Sequence, residues 1–138
     1  MNEMMKSVET PQWMLDLFKA IDTLDMSATS GFSVFADDIE MVFGDRVLHG
    51  IEAAKQFFVA LDAPFDTVHN VTGVWQVGNA FIMQGSADLR KKGAAPETTV
   101  HVSPLFNVIW LDARGKVSRY VVTMSPDAEH AAVKPSAK

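Results

Sequence analysis

Four histidines (His49, His69, His101 and His130) and the adjacent acids Asp37 and Asp38 are the residues here whose chemistry could exceed structure. The histidines stand singly. None has the His-x-His or His-x-x-x-His spacing that presents two ligands to one ion, so no metal site is expected. The chain has no cysteine, which excludes disulfides, thiolate nucleophiles and cysteine metal sites. No Gly-x-Ser-x-Gly elbow surrounds Ser27, Ser103 or Thr123, and no glycine-rich phosphate loop is present. No cofactor is expected. Acid–base chemistry on a single imidazole is what remains, and His69 in "DTVHNV" is the strongest candidate. An imidazole in apolar surroundings can accept, donate or shuttle a proton near neutral pH. Strand register decides its fate, because a slip of one residue turns it to the other face. His49, ending a short strand before a helix, reads as a surface residue. His101 alternates with Val100 and Val102 and reads as facing solvent or a dimer interface, and His130 lies in an inert tail. Asp37 and Asp38 read as turn formers that close a helix and start a strand.

The elements that must position these groups follow from periodicity. In "TPQWMLDLFKAIDTL", Trp13, Leu17, Phe18, Ile21 and Leu24 make one apolar helix face, with Thr10 as cap and Pro11 at the first helical position. A second short helix is expected over 26–35, weakened by Gly31 and by its Ser/Thr content. Two short strands follow near 38–43 and 46–48, joined at Gly44-Asp45. "GIEAAKQFFVALDAP" is a third helix, with Ile51, Ala54, Phe57, Phe58 and Leu61 as its buried stripe and Pro64 as its stop. Four longer strands complete the chain. The first two turn at Gly78-Asn79, the last two at "DARG", and Pro104 marks a bend or bulge in the third. Residues 1–9 are expected to be loose and 127–138 frayed, leaving one domain over 10–126.

Helices followed by a run of antiparallel strands predict an α+β fold: a curved, mainly antiparallel sheet wrapped on three N-terminal helices, in the order α-α-β-β-α-β-β-β-β. Such a wrap leaves room for a pocket between helices and sheet. Trp13, Phe18, Phe32, Phe43, Met83, Gly85, Phe106, Tyr120 and Met124 are the candidates to line it, with Gly85 and Ala87 leaving space on one sheet face.

At 138 residues and 48% apolar content the chain can bury one core. Its net charge of -5 and the absence of a basic stripe argue against nucleic acid and anionic membrane partners. No apolar run near the N-terminus suits a signal peptide or a membrane span, so cytoplasmic residence is the default expectation. Apolar residues on both faces of the strand around Val100–Trp110 predict a homodimer through the outer sheet face.

Three segments carry a resemblance. "FADD" at 35–38, "HGIEAAKQFF" at 49–58 and "VSPLFNVIWLDARGKVSRY" at 102–120 resemble, in order and character, parts of the nuclear transport factor 2-like (NTF2-like) superfamily. The branch is that of the SnoaL-like polyketide cyclases and ketosteroid isomerases, and the likeness covers roughly 11–126. The resemblance implies the cone-shaped fold and a pocket-facing histidine at His69. It also implies where ketosteroid isomerase chemistry would reside. The base position, five residues after "ADD", is Phe43. The acid position two residues after the mid-strand proline is Phe106, and the first-helix tyrosine is replaced by the Phe18/Lys19 region. None of these can abstract a proton or supply an acidic hydrogen-bond donor, so that isomerisation is not expected. Thr123 stands where many relatives carry an aspartate, which leaves His69 without an evident partner. Three readings result. The first is a pocket for a small apolar or carbonyl-containing molecule with proton transfer at His69. The second is the same pocket used for binding only, and the third is an assembly domain.

Overall fold

The structure, a computed structural model, describes residues 4–124. Nine regular elements follow one another: β1 (Lys6–Val8), α1 (Gln12–Thr23), β2 (Phe35–Phe43), β3 (Arg46–His49), α2 (Ile51–Asp62), β4 (Phe65–Val77), β5 (Ala80–Lys91), β6 (Val100–Leu111) and β7 (Val117–Met124). Short 3₁₀ turns lie at Gly31–Val34 and Pro96–Thr98. The seven strands form one curved, unclosed sheet in the order β1-β4-β5-β6-β7-β2-β3. All pairs are antiparallel except β2 with β7. The mixed α+β architecture agrees with expectation.

Two α-helices are present rather than three. The segment expected as a second helix is captured by local polar bonds. Helix α1 ends on Leu24 in the left-handed region (φ 52). Asp25 Oδ1 then accepts the Ser27 N–H, and Ser30 Oγ accepts that of Phe32, so only one 3₁₀ turn forms. Side chains that bond neighbouring backbone in this way compete with the helical ladder. Gly31 lies so close to α1 that an added Cβ would stand 2.0 Å from the Asp16 carbonyl oxygen.

Two smaller corrections have similar origins. Residues 6–8, expected to be loose, pair with Gln76, Trp75 and Val74 of β4, because the edge of that strand away from β5 is free. Pro11 is the cap of α1 and not its first helical residue; its carbonyl accepts from Met14 and Leu15, while Thr10 makes no cap bond. Asp37 and Asp38 lie within β2 on its exposed side. The tail 127–138, with His130, lies outside the described residues.

Both helices pack on the inner face of the sheet. Met14, Leu17, Phe18 and Ile21 of α1 meet Ala54, Phe57 and Phe58 of α2 and the inward rows Ile39-Met41-Phe43, Met83-Ala87-Leu89 and Val102-Leu105-Ile109. Aromatic rings knit the centre, with Phe43 and Phe57 centroids 5.0 Å apart and Phe32 5.7 Å from Phe58. Among the described residues no helix is long and apolar enough to cross a membrane.

The contact at Gly31 makes a prediction. Gly31→Ala must push the 3₁₀ turn off α1, and overpacking of this kind costs about 3 kcal/mol. Urea unfolding should show that loss as a lower midpoint; an unchanged midpoint would mean the turn is not pressed against the helix.

Candidate functional site

Helix α1 carries the row Met14, Phe18, Asp22, and α2 carries Ala54, Phe58, Asp62. Residues four apart lie one above another on a helix. Each row therefore begins apolar, faces the core, and ends in a carboxylate at the helix C-terminal end. The two carboxylates meet β4, whose inner face presents Thr67 and His69.

Asp22 holds His69 twice. Its Oδ1 lies 2.5 Å from the imidazole Nδ1, and its Oδ2 accepts the His69 backbone N–H at 2.9 Å. Phe18, one turn before Asp22, stacks on the ring with centroids 5.2 Å apart and planes 18° from parallel. A carboxylate can only accept, so Nδ1 carries a proton, and in the neutral ring the lone pair is on Nε2. No described protein atom hydrogen-bonds Nε2. The Asp22 and His69 side chains are 18% and 14% exposed, so solvent reaches the pair.

His69 borders a cavity of about 40 Å³ between the helices and the sheet. Its walls are mostly apolar, with Phe43, Phe58, Ala87, Leu105 and Val122 prominent. The polar exceptions are Asp62, Thr67, His69, Asn107 and Tyr120. Asp62 is 5% exposed and receives only a long bond, 3.5 Å, from the Thr67 hydroxyl. Burial pushes its carboxyl up to about 6, with His69 pulling the other way and Asp22 adding to the rise. Burial likewise raises the Tyr120 hydroxyl far above its ordinary range, helped by the negative charges of Asp62 and Asp22, so it remains a neutral phenol. One acceptor nitrogen, one carboxyl that titrates near neutrality and a phenol around a small space can hold and move a proton.

The residues named as lining candidates fare unequally. Phe43 and Tyr120 border the cavity, while Phe18 does not line it and stacks on His69. Trp13 packs edge-on against Phe81 instead, while Phe32 and Met83 are fully buried in the core away from the cavity. Gly85 creates no pocket space: a Cβ there would stand 2.1 Å from the Asn70 carbonyl, so it serves the close approach of β4 and β5. Phe106 points outward and is 36% exposed. A bulge at Ser103-Pro104, opposite Ser86 alone, inverts the alternation beyond it, so Leu105 and Asn107 turn inward. The Met124 side chain lies outside the described residues. His49 is exposed, and His101 is exposed beside Asp88, its Nδ1 2.5 Å from Oδ1. Among the described residues no group of three or more His, Asp or Glu is placed to hold a metal ion.

Sequence reasoning missed Asp22, Asp62, Thr67 and Asn107. For the two aspartates a signal existed, since each continues an apolar row of its helix at the i+4 position. The partner of His69, absent at Thr123, comes from the first helix instead.

No family model matches the sequence, and no curated protein matches it. Solved structures do match. A protein with a ketosteroid isomerase-like fold from Catenulispora acidiphila, determined in complex with trimethylamine, is 17% identical with a TM-score of 0.72, over 90% of this chain and 93% of that one. A protein assigned as a SnoaL-like polyketide cyclase from Jannaschia sp. CCS1 is 18% identical with a TM-score of 0.72, over 91% and 96%. An NTF2-like protein of unknown function from Exiguobacterium sp. 255-15 is 18% identical with a TM-score of 0.68, over 83% and 98%. The chain has the NTF2-like fold.

Asp62 generates a testable pH dependence. Its carboxyl ordinarily titrates at 3.8 and is raised to about 6 in the folded chain, which therefore binds more protons than the unfolded chain between those values. The associated stability is fully present below about pH 4 and is lost as pH rises through about 6. Asp62→Asn removes the loss. The variant's unfolding free energy relative to the parent should climb from pH 4 to pH 7 by about 2–3 kcal/mol. Urea titrations across that range check it, and a difference independent of pH would show that Asp62 ionises as freely in the folded state as in the unfolded one.

Proposed function

We propose that the protein binds a small, largely apolar organic molecule, carbonyl-containing in the simplest case, at this cavity. It transfers a proton on that molecule through His69. The observation that carries the reading is the double hold of Asp22 on His69. A carboxylate that fixes the ring and its tautomer leaves Nε2 oriented as a base and stabilises the imidazolium formed when that base takes a proton. Asp62 and Tyr120 support it as a second titrating group and a hydrogen-bond donor beside the same space. The placement of both aspartates adds weight. A carboxylate at a helix C-terminus runs against the macrodipole, so neither acid is there for the helix's sake. The complex of the Catenulispora protein with trimethylamine is in keeping with a small ligand. At about 40 Å³ the cavity favours a molecule of few atoms, or the small reactive end of a larger one.

The test is a thermal-shift screen of small carbonyl compounds, followed by deuterium-exchange NMR of the protons next to the carbonyl in each binder. His69→Ala should abolish exchange above background. His69→Gln should retain part of the binding and none of the exchange. Asp22→Asn should lower the exchange rate about a hundredfold or more, because the amide no longer enforces the tautomer. Binding without exchange in the parent protein would leave the cavity as a binding site only.

A second reading, dimerisation through the outer sheet face, rests on a different observation. Phe106 is 36% exposed, and in the adjoining row Ile82, Val108 and Val121 lie side by side on β5, β6 and β7, half-buried. An apolar stripe of this kind is unusual on a lone subunit. Sedimentation should report a dimer at micromolar concentration that Phe106→Asp converts to monomer; a parent that sediments as a monomer removes this reading and leaves the first untouched.

A further inference from the structure

Asn107 stands on β6 between Leu105 and Ile109, its side chain turned inward and 1% exposed. It borders the same cavity as His69, Asp62 and Tyr120. Its Oδ1 is buried and has no hydrogen-bond partner among the described residues. A buried acceptor with no donor is destabilising, and the neighbouring inward positions of the strand show the apolar alternative in Val102, Leu105 and Ile109. Strand stability alone would favour a fourth such residue at this position. An unpartnered acceptor facing a cavity thus reads as one half of a hydrogen bond whose other half arrives with a bound molecule.

We infer that Asn107 selects the ligand by accepting a hydrogen bond from an O–H or N–H group on it. The inference rests on reading the cavity as the ligand site. The rest of the polar wall agrees in sign. In the neutral ring His69 Nε2 is an acceptor, because Asp22 holds the Nδ1 proton. The Thr67 hydroxyl already directs its proton to Asp62. Beside Asn107 Oδ1 the cavity thus offers the His69 Nε2 and the Asp62 carboxyl as acceptors, and the Tyr120 phenol and the Asn107 amide N–H groups as donors. The matching molecule is a small apolar skeleton bearing an alcohol, an enol or a protonated amine. A carbonyl on the same skeleton can be served by Tyr120 or by the Asn107 amide N–H but has nothing to give Asn107 Oδ1. A protonated amine would in addition meet the Asp62 carboxylate, which has no lysine or arginine among the residues lining the cavity.

Cyclopentanol, cyclopentylamine and cyclopentanone share one carbon skeleton and separate these chemistries. Each is titrated into isotopically labelled protein and followed by NMR, with the Asn107 side-chain amide as the local reporter. The alcohol or the amine should bind at least about tenfold more tightly than the ketone, the worth of one good hydrogen bond in a closed site. The Asn107 amide signal should move with it. An alcohol preference alone points to a neutral hydroxyl ligand, and an amine preference to a cation that also uses Asp62. Asn107→Leu should erase the preference while raising the melting temperature of the free protein by a few degrees, since an orphaned polar group is replaced by an apolar one. Asn107→Val serves the same purpose if the leucine does not fold. Equal or tighter binding of the ketone, or a preference that survives in the variants, overturns the role of Asn107 and leaves the cavity as a ligand site. Failure of all three compounds at tens of millimolar overturns both.

Discussion

One carboxylate, that of Asp22, fixes the relation between the first helix and the sheet. Strand β4 is flanked by β5 along its whole length but by β1 only at Val74–Gln76, so the middle of its other edge is open. An open edge exposes backbone donors. Asp22 closes the one at His69 with Oδ2 and takes the ring with Oδ1. The same two bonds therefore pin the end of α1, satisfy a strand edge and set an imidazole. Phe18 adds the third constraint by covering the ring face. The geometry of the candidate base is thus a by-product of how the helix docks, and anything that shifts α1 along β4 alters both together.

Around this clamp the interior departs from what stability alone would select. Asp62 is buried with one long hydrogen bond, and Asn107 keeps an unmet acceptor. Both lie among side chains that otherwise pack as an ordinary apolar core. Proteins break local rules mainly where function demands it. The two departures face one cavity that His69 also faces, and that convergence distinguishes this part of the core from equally buried apolar residues away from the cavity, such as Met14, Leu17 and Phe32.

The order of elements was legible because it rests on periodicity. The α1 and α2 stripes, the Gly78-Asn79 turn and the alternation from Met83 to Asp88 all appear where the residues demand. The second helix was not legible as a failure, since hydrophobic spacing over 26–35 carries no record of the Asp25 and Ser30 bonds that replace helical ones. The site was only half legible. His69 could be named because a lone imidazole among strand residues stands out. Its partner could not, since the 47 residues between Asp22 and His69 are bridged by tertiary packing alone. Phe106 was expected inward because simple alternation from Val102 puts it there. Pro104 announced a bulge, but not that the bulge would add a single residue and so exchange the faces.

That bulge has an evolutionary meaning. It works as a phase shifter partway along β6. Upstream of it Val102 is inward, downstream Leu105, Asn107 and Ile109 are, and the pairing with β7 begins only at Leu105. Substitutions that ironed out the bulge at Ser103-Pro104 at unchanged chain length would swap the downstream set in a single event, sending Asn107 to the surface and bringing Phe106 into the cavity, with the hairpin to β7 re-registered as a unit. A polar, selective wall and a greasy one are thus one bulge apart in the same scaffold. The cavity's chemistry can change by sliding a strand past its bulge as readily as by substituting its side chains.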